Sequence, residues 1–303
     1  MFEIILGGIK TPDIPKGTWE KLSYPYTGAI ARAAICVVDD DIYVFGGNVG
    51  SGNPNELRKY NTVTGVWTTL AGGYGGNYGM FCGHVNGKIY YFAGVVGGSY
   101  VRFCRCYDIA TNTWSTMPTQ YPQQYVTNSK VYSIDGKLII YGGKPLAASL
   151  PYTISYDPVS DAYTFLSTRP TGITDDASFT LDGNRIYSVM GTDSSTTTKK
   201  AYTYDIALNQ WATNLPDGPL VQRGCEAAVL NGVAYIFGGY PYQNVMFAFD
   251  GDERLYAPVV QTGSVLPQGR IEHGFVAVNG SIYMLGGRGN ANYSEFWKFT
   301  PAE

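Results

Sequence analysis

Few side chains in this chain could do chemistry, and most of them fall at corresponding points of a repeating pattern. There are two histidines, His84 and His273. Arg223 lies close to Glu226, and Arg270 lies beside Glu272 and His273. Either group could supply one acid–base residue and one guanidinium for a carboxylate. Aligned with them in other copies of the pattern are Arg32, Tyr78, Asn128, Asp175 and Asp176. Just past a paired-glycine phrase come Asn48, Lys144, Asp193, Tyr240, Tyr242 and Arg288. Acids gather in the fourth copy, arginines in the fifth and sixth. Tyrosines, amides and guanidiniums around a concavity suit a sugar or an extended peptide. The plainer expectation is that these residues solvate strand ends and pair with one another, each pair being worth little.

The pattern that positions them is regular. A short apolar run ends six times in a tyrosine-centred phrase with glycines: Ile42-Tyr43-Val44-Phe45-Gly46-Gly47, Ile89-Tyr90-Tyr91-Phe92-Ala93-Gly94, Leu138-Ile139-Ile140-Tyr141-Gly142-Gly143, Ile186-Tyr187-Ser188-Val189-Met190-Gly191, Ala234-Tyr235-Ile236-Phe237-Gly238-Gly239 and Ile282-Tyr283-Met284-Leu285-Gly286-Gly287. The second positions fall at 43, 90, 139, 187, 235 and 283, intervals of 47 to 49 residues. Such a period predicts a closed ring of small β-sheets.

Each copy reads as four strands. Asn86-Gly87, Asp135-Gly136, Asp182-Gly183, Asn231-Gly232 and Asn279-Gly280, with Asp39-Asp40 in the first copy, precede the tyrosines. These dipeptides accept positive φ, so they predict tight hairpins to the preceding apolar strand. A third strand ends at Tyr60, Tyr107, Tyr156, Tyr204 and Phe249. Seven residues on, across a turn, come Trp67, Trp114, Tyr163, Trp211 and Tyr256 in a fourth strand. No such sheet buries both faces alone. Neighbours around an axis bury them mutually, with aromatics filling the gaps. The sixth copy has its third-strand aromatic at Phe299 but no fourth strand after it. Gly17-Thr18-Trp19-Glu20-Lys21-Leu22 reads like the missing strand, so the N-terminal segment is expected to join the last blade and close the ring. The expected class is all-β, a six-bladed propeller of four-stranded antiparallel blades. A single domain over 16–303 follows an arm at 1–15, in which Phe2, Ile4, Ile5 and Leu6 have no place in the blades and would dock on a partner or on the propeller itself.

The combined phrase of turn, double glycine, Tyr-Asp and tryptophan resembles the kelch family of β-propellers, over residues 17 to 301. Ala93 and Met190 depart from the first glycines, and Tyr163 and Tyr256 from the tryptophans. The resemblance implies that binding occurs on the face opposite the Asn-Gly hairpins, around the channel, where the polar residues above collect. It also brings three enzyme types into view. Two histidines from separate blades supply too little for a copper oxidase. No segment carries the carboxylate and histidine array of the iron-dependent type. A sugar-acid mutarotase stays open through the Arg223 and Arg270 groups. A role as a ubiquitin-ligase adaptor implies a helical oligomerisation domain, and no long helical stretch is present.

Composition narrows the setting. Charged residues make up 15% of the chain, with 26 Tyr and 38 Gly, and the net charge is −3. No basic surface favours nucleic acid, and apolar runs are far short of a membrane span. Met1-Phe2-Glu3-Ile4-Ile5-Leu6-Gly7 lacks a basic leader, so synthesis in a cytoplasm is expected. Five cysteines, Cys36, Cys82, Cys104, Cys106 and Cys225, are expected to pack between blades as small apolar residues. Cys104 and Cys106, about 7 Å apart along one strand, have poor disulfide geometry. No metal or other cofactor is expected. The functional expectation is a non-enzymatic binding or assembly module, such as a phage or virus particle component, meeting a protein or glycan through the loop face.

Overall fold

The computed structural model describes residues 15–26, 28–47, 55–73, 77–123, 126–145, 152–193, 196–251 and 254–302. They form six antiparallel sheets around a channel. From the inside outward, blade 1 is Ala34–Val38, Asp41–Phe45, Leu57–Asn61 and Val66–Leu70. Blade 2 is Phe81–Val85, Lys88–Phe92, Cys104–Asp108 and Thr113–Thr116. Blade 3 is Lys130–Ile134, Lys137–Tyr141, Thr153–Asp157 and Ala162–Phe165. Blade 4 is Ala177–Phe179, Arg185–Asp193, Thr196–Asp205 and Gln210–Ala212. Blade 5 is Arg223–Leu230, Val233–Tyr240, Met246–Asp250 and Leu255–Pro258. Blade 6 takes Gly274–Val278, Ser281–Leu285 and Phe296–Pro301 from the C-terminal part of the chain and Lys16–Leu22 from the N-terminal part.

Ring closure follows the aromatic register. Trp19 stands opposite Phe299, as Trp67 stands opposite Tyr60, Trp114 opposite Tyr107 and Trp211 opposite Tyr204. Blade 6 also gains a fifth strand that the repeat pattern does not announce. Val260–Thr262 lies parallel to Lys16–Thr18, and the Trp19 indole N–H donates to Gln261 at 2.8 Å. The closing strand is thus held on both edges, which removes an exposed ladder at the one place where the ring is not covalently continuous.

Turn chemistry works as the five Asn-Gly and Asp-Gly dipeptides predict, with one exception. Asn86, Asp135, Asn231 and Asn279 have φ near 50°, each followed by a glycine at about 70–80°. In blade 4 one extra residue, Asn184, separates Gly183 from its tyrosine. The hairpin there becomes a longer bend in which the Asp182 carboxylate accepts the N–H groups of Asn184 and Arg185. The double glycines are both left-handed, at 71° and 100° for Gly46 and Gly47. Crowding adds a second reason in the sixth copy, where a Cβ on Gly286 would sit 2.1 Å from the Ile30 carbonyl oxygen. Ala93 (49°) and Met190 (61°) hold the same conformation at a steric cost that glycine avoids.

Aromatics fill the seams. Phe45 of blade 1 packs against Tyr91 and Trp114 of blade 2, at centroid distances of 5.2 and 4.8 Å. Trp67 packs against Phe296 of blade 6 at 5.1 Å. Pairs of this kind add about 0.5–1.5 kcal/mol beyond the area they bury.

A polar latch reinforces three seams. Asn112, left-handed in the outer hairpin of blade 2, accepts the Tyr107 hydroxyl at 2.8 Å and the Ala71 N–H at the end of blade 1 at 2.9 Å. Asn209 does the same with Tyr204 and Ser167, both at 2.7 Å. Asp161 does it with Tyr156 and Thr119, both at 2.9 Å. In blade 5 the third-strand aromatic is Phe249, without a hydroxyl. Arg254 takes the turn position and instead donates to the Asn214 carbonyl of blade 4 at 3.2 Å.

Candidate functional site

The inner strands of all six blades line a cavity of about 250 Å3 on the axis. At its mouth one residue per blade is left-handed, two positions before the inner strand in five blades and the second residue of the long inner strand in blade 5: Arg32, Gly79, Asn128, Asp175, Gly224 and Glu272, with φ between 53° and 72°. Backbone hydrogen bonds join these residues from blade to blade. The Arg32 N–H donates to Glu272, Gly79 to Arg32, Asn128 to Gly79 and Gly224 to Asp175, at 2.6–3.0 Å. This belt needs only main-chain atoms. Glycine, asparagine and aspartate meet its φ requirement cheaply, while arginine and glutamate do so at a cost.

The two costly choices sit next to each other and pair. Glu272 accepts from Arg32 at 2.7 Å and from Arg288 through Nε and through Nη2, the latter at 2.9 Å. Burial alone would push the Glu272 carboxyl up. The two guanidiniums outweigh it and hold it below the usual carboxylate range. The hydrogen bonds that Arg288 donates to Glu272 likewise raise the Arg288 guanidinium. This array of two cations and one anion remains reachable, with 41% of the Arg288 side chain exposed. Around it stand aromatic rings. Arg32 lies over Tyr78 at 5.7 Å, and Arg223 lies over Tyr240 at 5.0 Å while pairing with Asp175 at 3.7 Å. Tyr240 and Tyr242 meet edge-on at 5.3 Å across the cis Tyr240-Pro241 bond. Two long hairpins, Arg185–Asp193 with Thr196–Asp205 and Arg223–Leu230 with Val233–Tyr240, carry blades 4 and 5 further on this side than their counterparts.

Deeper in the channel, Lys130 of blade 3 and Glu226 of blade 5 form an ion pair at 2.6 Å. They occupy the same repeat position, two residues after the belt. Burial would lower the Lys130 ammonium, and Glu226 more than compensates, so it is held above its usual range.

Three residues read from the sequence as surface candidates lie inside. Arg270 is fully buried between blades. It donates to the carbonyls of Gln268 and Gly286 and to Glu295, at 2.8–2.9 Å, and stacks over Tyr293 at 4.1 Å. Asp176 is 2% exposed and accepts from Tyr141, Ser188 and Arg169. His273 packs edge-on against Phe237 and Phe275, and neither ring nitrogen has a hydrogen-bond partner among the described residues. Burial holds its pKa well below the usual value, with Arg270 and Lys130 adding to the effect. The groupings that the chain order suggests therefore separate. Glu226 pairs with Lys130 rather than Arg223, and Arg270 turns away from Glu272 toward Glu295. Asn48 lies outside the described residues, as do Phe2, Ile4, Ile5 and Leu6. Sequence reading missed Lys130, whose signal was a lysine opening an otherwise apolar inner strand.

Among the described residues no three His, Cys, Asp or Glu side chains converge as a metal site requires. Among them also no helix is long and apolar enough to cross a membrane.

With this geometry in view, the relatives can be compared. The model of the Attractin/LZTR1 β-propeller matches residues 11–247. The chain belongs to the Attractin/LZTR1 β-propeller family. Its kelch character extends to curated relatives. Kelch-like protein terF of Aspergillus terreus (strain NIH 2624 / FGSC A1156) is 23% identical over 93% of this chain and 54% of its own length. Kelch-like protein 35 of Mus musculus is 25% identical over 56% of this chain and 29% of its own. The chain thus spans about half of the first and under a third of the second. The solved structure of YjhT superposes with a TM-score of 0.73 at 15% identity, covering 92% of this chain and 98% of that one, a likeness of fold.

Proposed function

We propose that this propeller is a non-enzymatic binding module whose contact surface is the loop face at the channel mouth. The observation that carries the reading is the left-handed ring. Four of its positions hold residues suited to that conformation, and two hold Arg32 and Glu272, which are not. A strained residue among positions that meet the same conformation cheaply is a sign of retained use. Both side chains enter the reachable array with Arg288, beside Tyr78, Tyr240 and Tyr242. Tyrosines give contact area at low entropy cost, and guanidiniums give directed hydrogen bonds. The partner is a protein segment or glycan, met within a larger assembly such as a phage or virus particle. The kelch-like character of the relatives supports the protein-binding part of this reading.

The test is selection of ligands from a displayed peptide library and a glycan array with the purified chain. Ligands that use this face lose at least tenfold in affinity with Tyr240→Ala or Arg288→Ala. They keep their affinity with Val159→Ser, an exposed outer-turn position remote from the mouth. Selected ligands that bind all three variants alike would sink the assignment.

A further inference from the structure

The axial cavity holds charged side chains that the loop-face reading leaves unused. Lys130 and Glu226 meet in its wall at 2.6 Å, and each keeps part of its side chain exposed, 21% and 25% respectively. The other charges of the wall are paired with groups outside this couple: Asp176 with Arg169, Asp175 with Arg223, and Glu272 with Arg32 and Arg288. His273 stands in the same wall, 5% exposed, with neither ring nitrogen hydrogen-bonded among the described residues. A buried polar group is normally paired, so a bare imidazole beside a cavity marks a place that a ligand atom can complete. Met80, Val131 and Phe275 add apolar wall. At about 250 Å3 the cavity falls below the roughly 300–1,000 Å3 of pockets for drug-sized ligands, so its occupant is small.

The ion pair decides the chemistry of that occupant. A carboxylate alone would draw Lys130 away and leave Glu226 without a cation. An amine alone would take Glu226 and strand Lys130. Removing one partner from a buried ion pair is strongly unfavourable, because the charge left behind is neither solvated nor paired. Burial already pushes the Glu226 carboxyl above its usual range, and Lys130 only partly offsets this. A neutral ligand leaves the pair closed and gains nothing from it. A ligand carrying both charges lets each residue exchange its partner, so that one ion pair becomes two. We propose that the axial cavity binds a small zwitterion, a free amino acid, whose carboxylate takes Lys130 and whose ammonium takes Glu226. The neutral His273 imidazole donates from one nitrogen to the second carboxylate oxygen. The amino acid side chain lies against Met80, Val131 and Phe275. This site is deeper than the Arg32, Glu272 and Arg288 array and is independent of what the loop face binds.

The test uses the full folded chain and a panel of free L-amino acids at millimolar concentration, read by thermal shift and then by isothermal titration calorimetry. At least one should raise Tm in a saturable way. Its analogue lacking the amino group and its analogue lacking the carboxyl group should each bind at least about a hundredfold more weakly, since each strands one buried charge. Binding should take up no proton at neutral pH, seen as equal heats in buffers of different ionisation enthalpy, because both protein charges are kept. Combining Lys130→Met with Glu226→Gln removes both charges together and should abolish the advantage of the parent amino acid over its analogues. A panel that shifts nothing would overturn the proposal. So would a singly charged analogue that binds as tightly as its parent, or uptake of a proton with each ligand. If the double variant does not fold, the wild-type comparison of parent and analogues decides the matter.

Discussion

The outer hairpins of blades 1 to 5 and the channel mouth of all six blades each use a left-handed residue, yet they treat its side chain in opposite ways. In the outer hairpins of blades 2 to 4 the side chain does the joining. Asn112, Asp161 and Asn209 each bridge a tyrosine hydroxyl of their own blade to a backbone N–H of the blade before. At the mouth the main chain does the joining, through the belt of N–H to carbonyl bonds. A joint made by side chains holds the residue type nearly fixed from copy to copy. A joint made by backbone releases it, and the mouth accordingly carries Arg, Gly, Asn, Asp, Gly and Glu. Repetition and specificity are therefore divided by which atoms close the seam.

Four measurements can break or sharpen that division. The largest effect is expected at Arg270, a mouth residue in chain order that behaves as a seam residue. Arg270→Met removes the ion pair with Glu295 and leaves the Gly286 carbonyl without its guanidinium donor, and should cost about 3–5 kcal/mol in denaturant unfolding. A loss under 1 kcal/mol would return Arg270 to the surface class. Next is the latch. Asn209→Ala strands the Tyr204 hydroxyl and the Ser167 N–H, for a loss of about 2 kcal/mol, while Leu208→Ala in the same exposed turn should stay within about 0.5 kcal/mol. Equal losses would mean that the turn, not the latch, matters.

The third concerns pH. His273 is neutral in the fold because burial, then Arg270 and Lys130, disfavour its protonation. Above about pH 6.5 the imidazole is neutral folded and unfolded alike. As pH falls below that, the unfolded chain binds a proton that the folded chain refuses. Stability should then drop by up to about 1.4 kcal/mol per pH unit. Comparing wild type with His273→Phe between pH 6.5 and 5 isolates this slope, since Glu272 and Glu295 are held below the usual carboxylate range and stay charged. Parallel curves would show that the imidazole is solvated. The smallest effect is expected at the belt itself. Arg32→Gly removes one ion pair but relieves a left-handed arginine, so its stability should change by less than about 1 kcal/mol while loop-face binding is lost. A large destabilisation would mean that the side chain, not the backbone, closes the mouth.

Much of this was legible in the chain. Six tyrosine-glycine phrases, their Asn-Gly turns and the displaced Trp19 strand specify strands, hairpins, blade number and closure, because each is set by residues a few positions apart or by a repeat count. The double glycines follow from local φ, and the aromatic pairs follow from a seven-residue spacing. The latch was partly visible, as an asparagine or aspartate five residues after each of Tyr107, Tyr156 and Tyr204. What it grips was not, since Ala71, Thr119 and Ser167 belong to the preceding blade.

The sequence by itself determined the scaffold, since hydrogen-bonded hairpins and period-two burial are short-range consequences of residue type. Only the tertiary structure decided which polar residues are surface. Arg270 and Arg288 look alike in the chain, but one points into the seam toward Glu295 and the other out toward Glu272. It also decided that Lys130 meets Glu226 across the channel and that Val260–Thr262 backs the closing strand. Each joins residues roughly 100 to 250 positions apart, where partners are fixed by the closure of the ring and not by any local pattern.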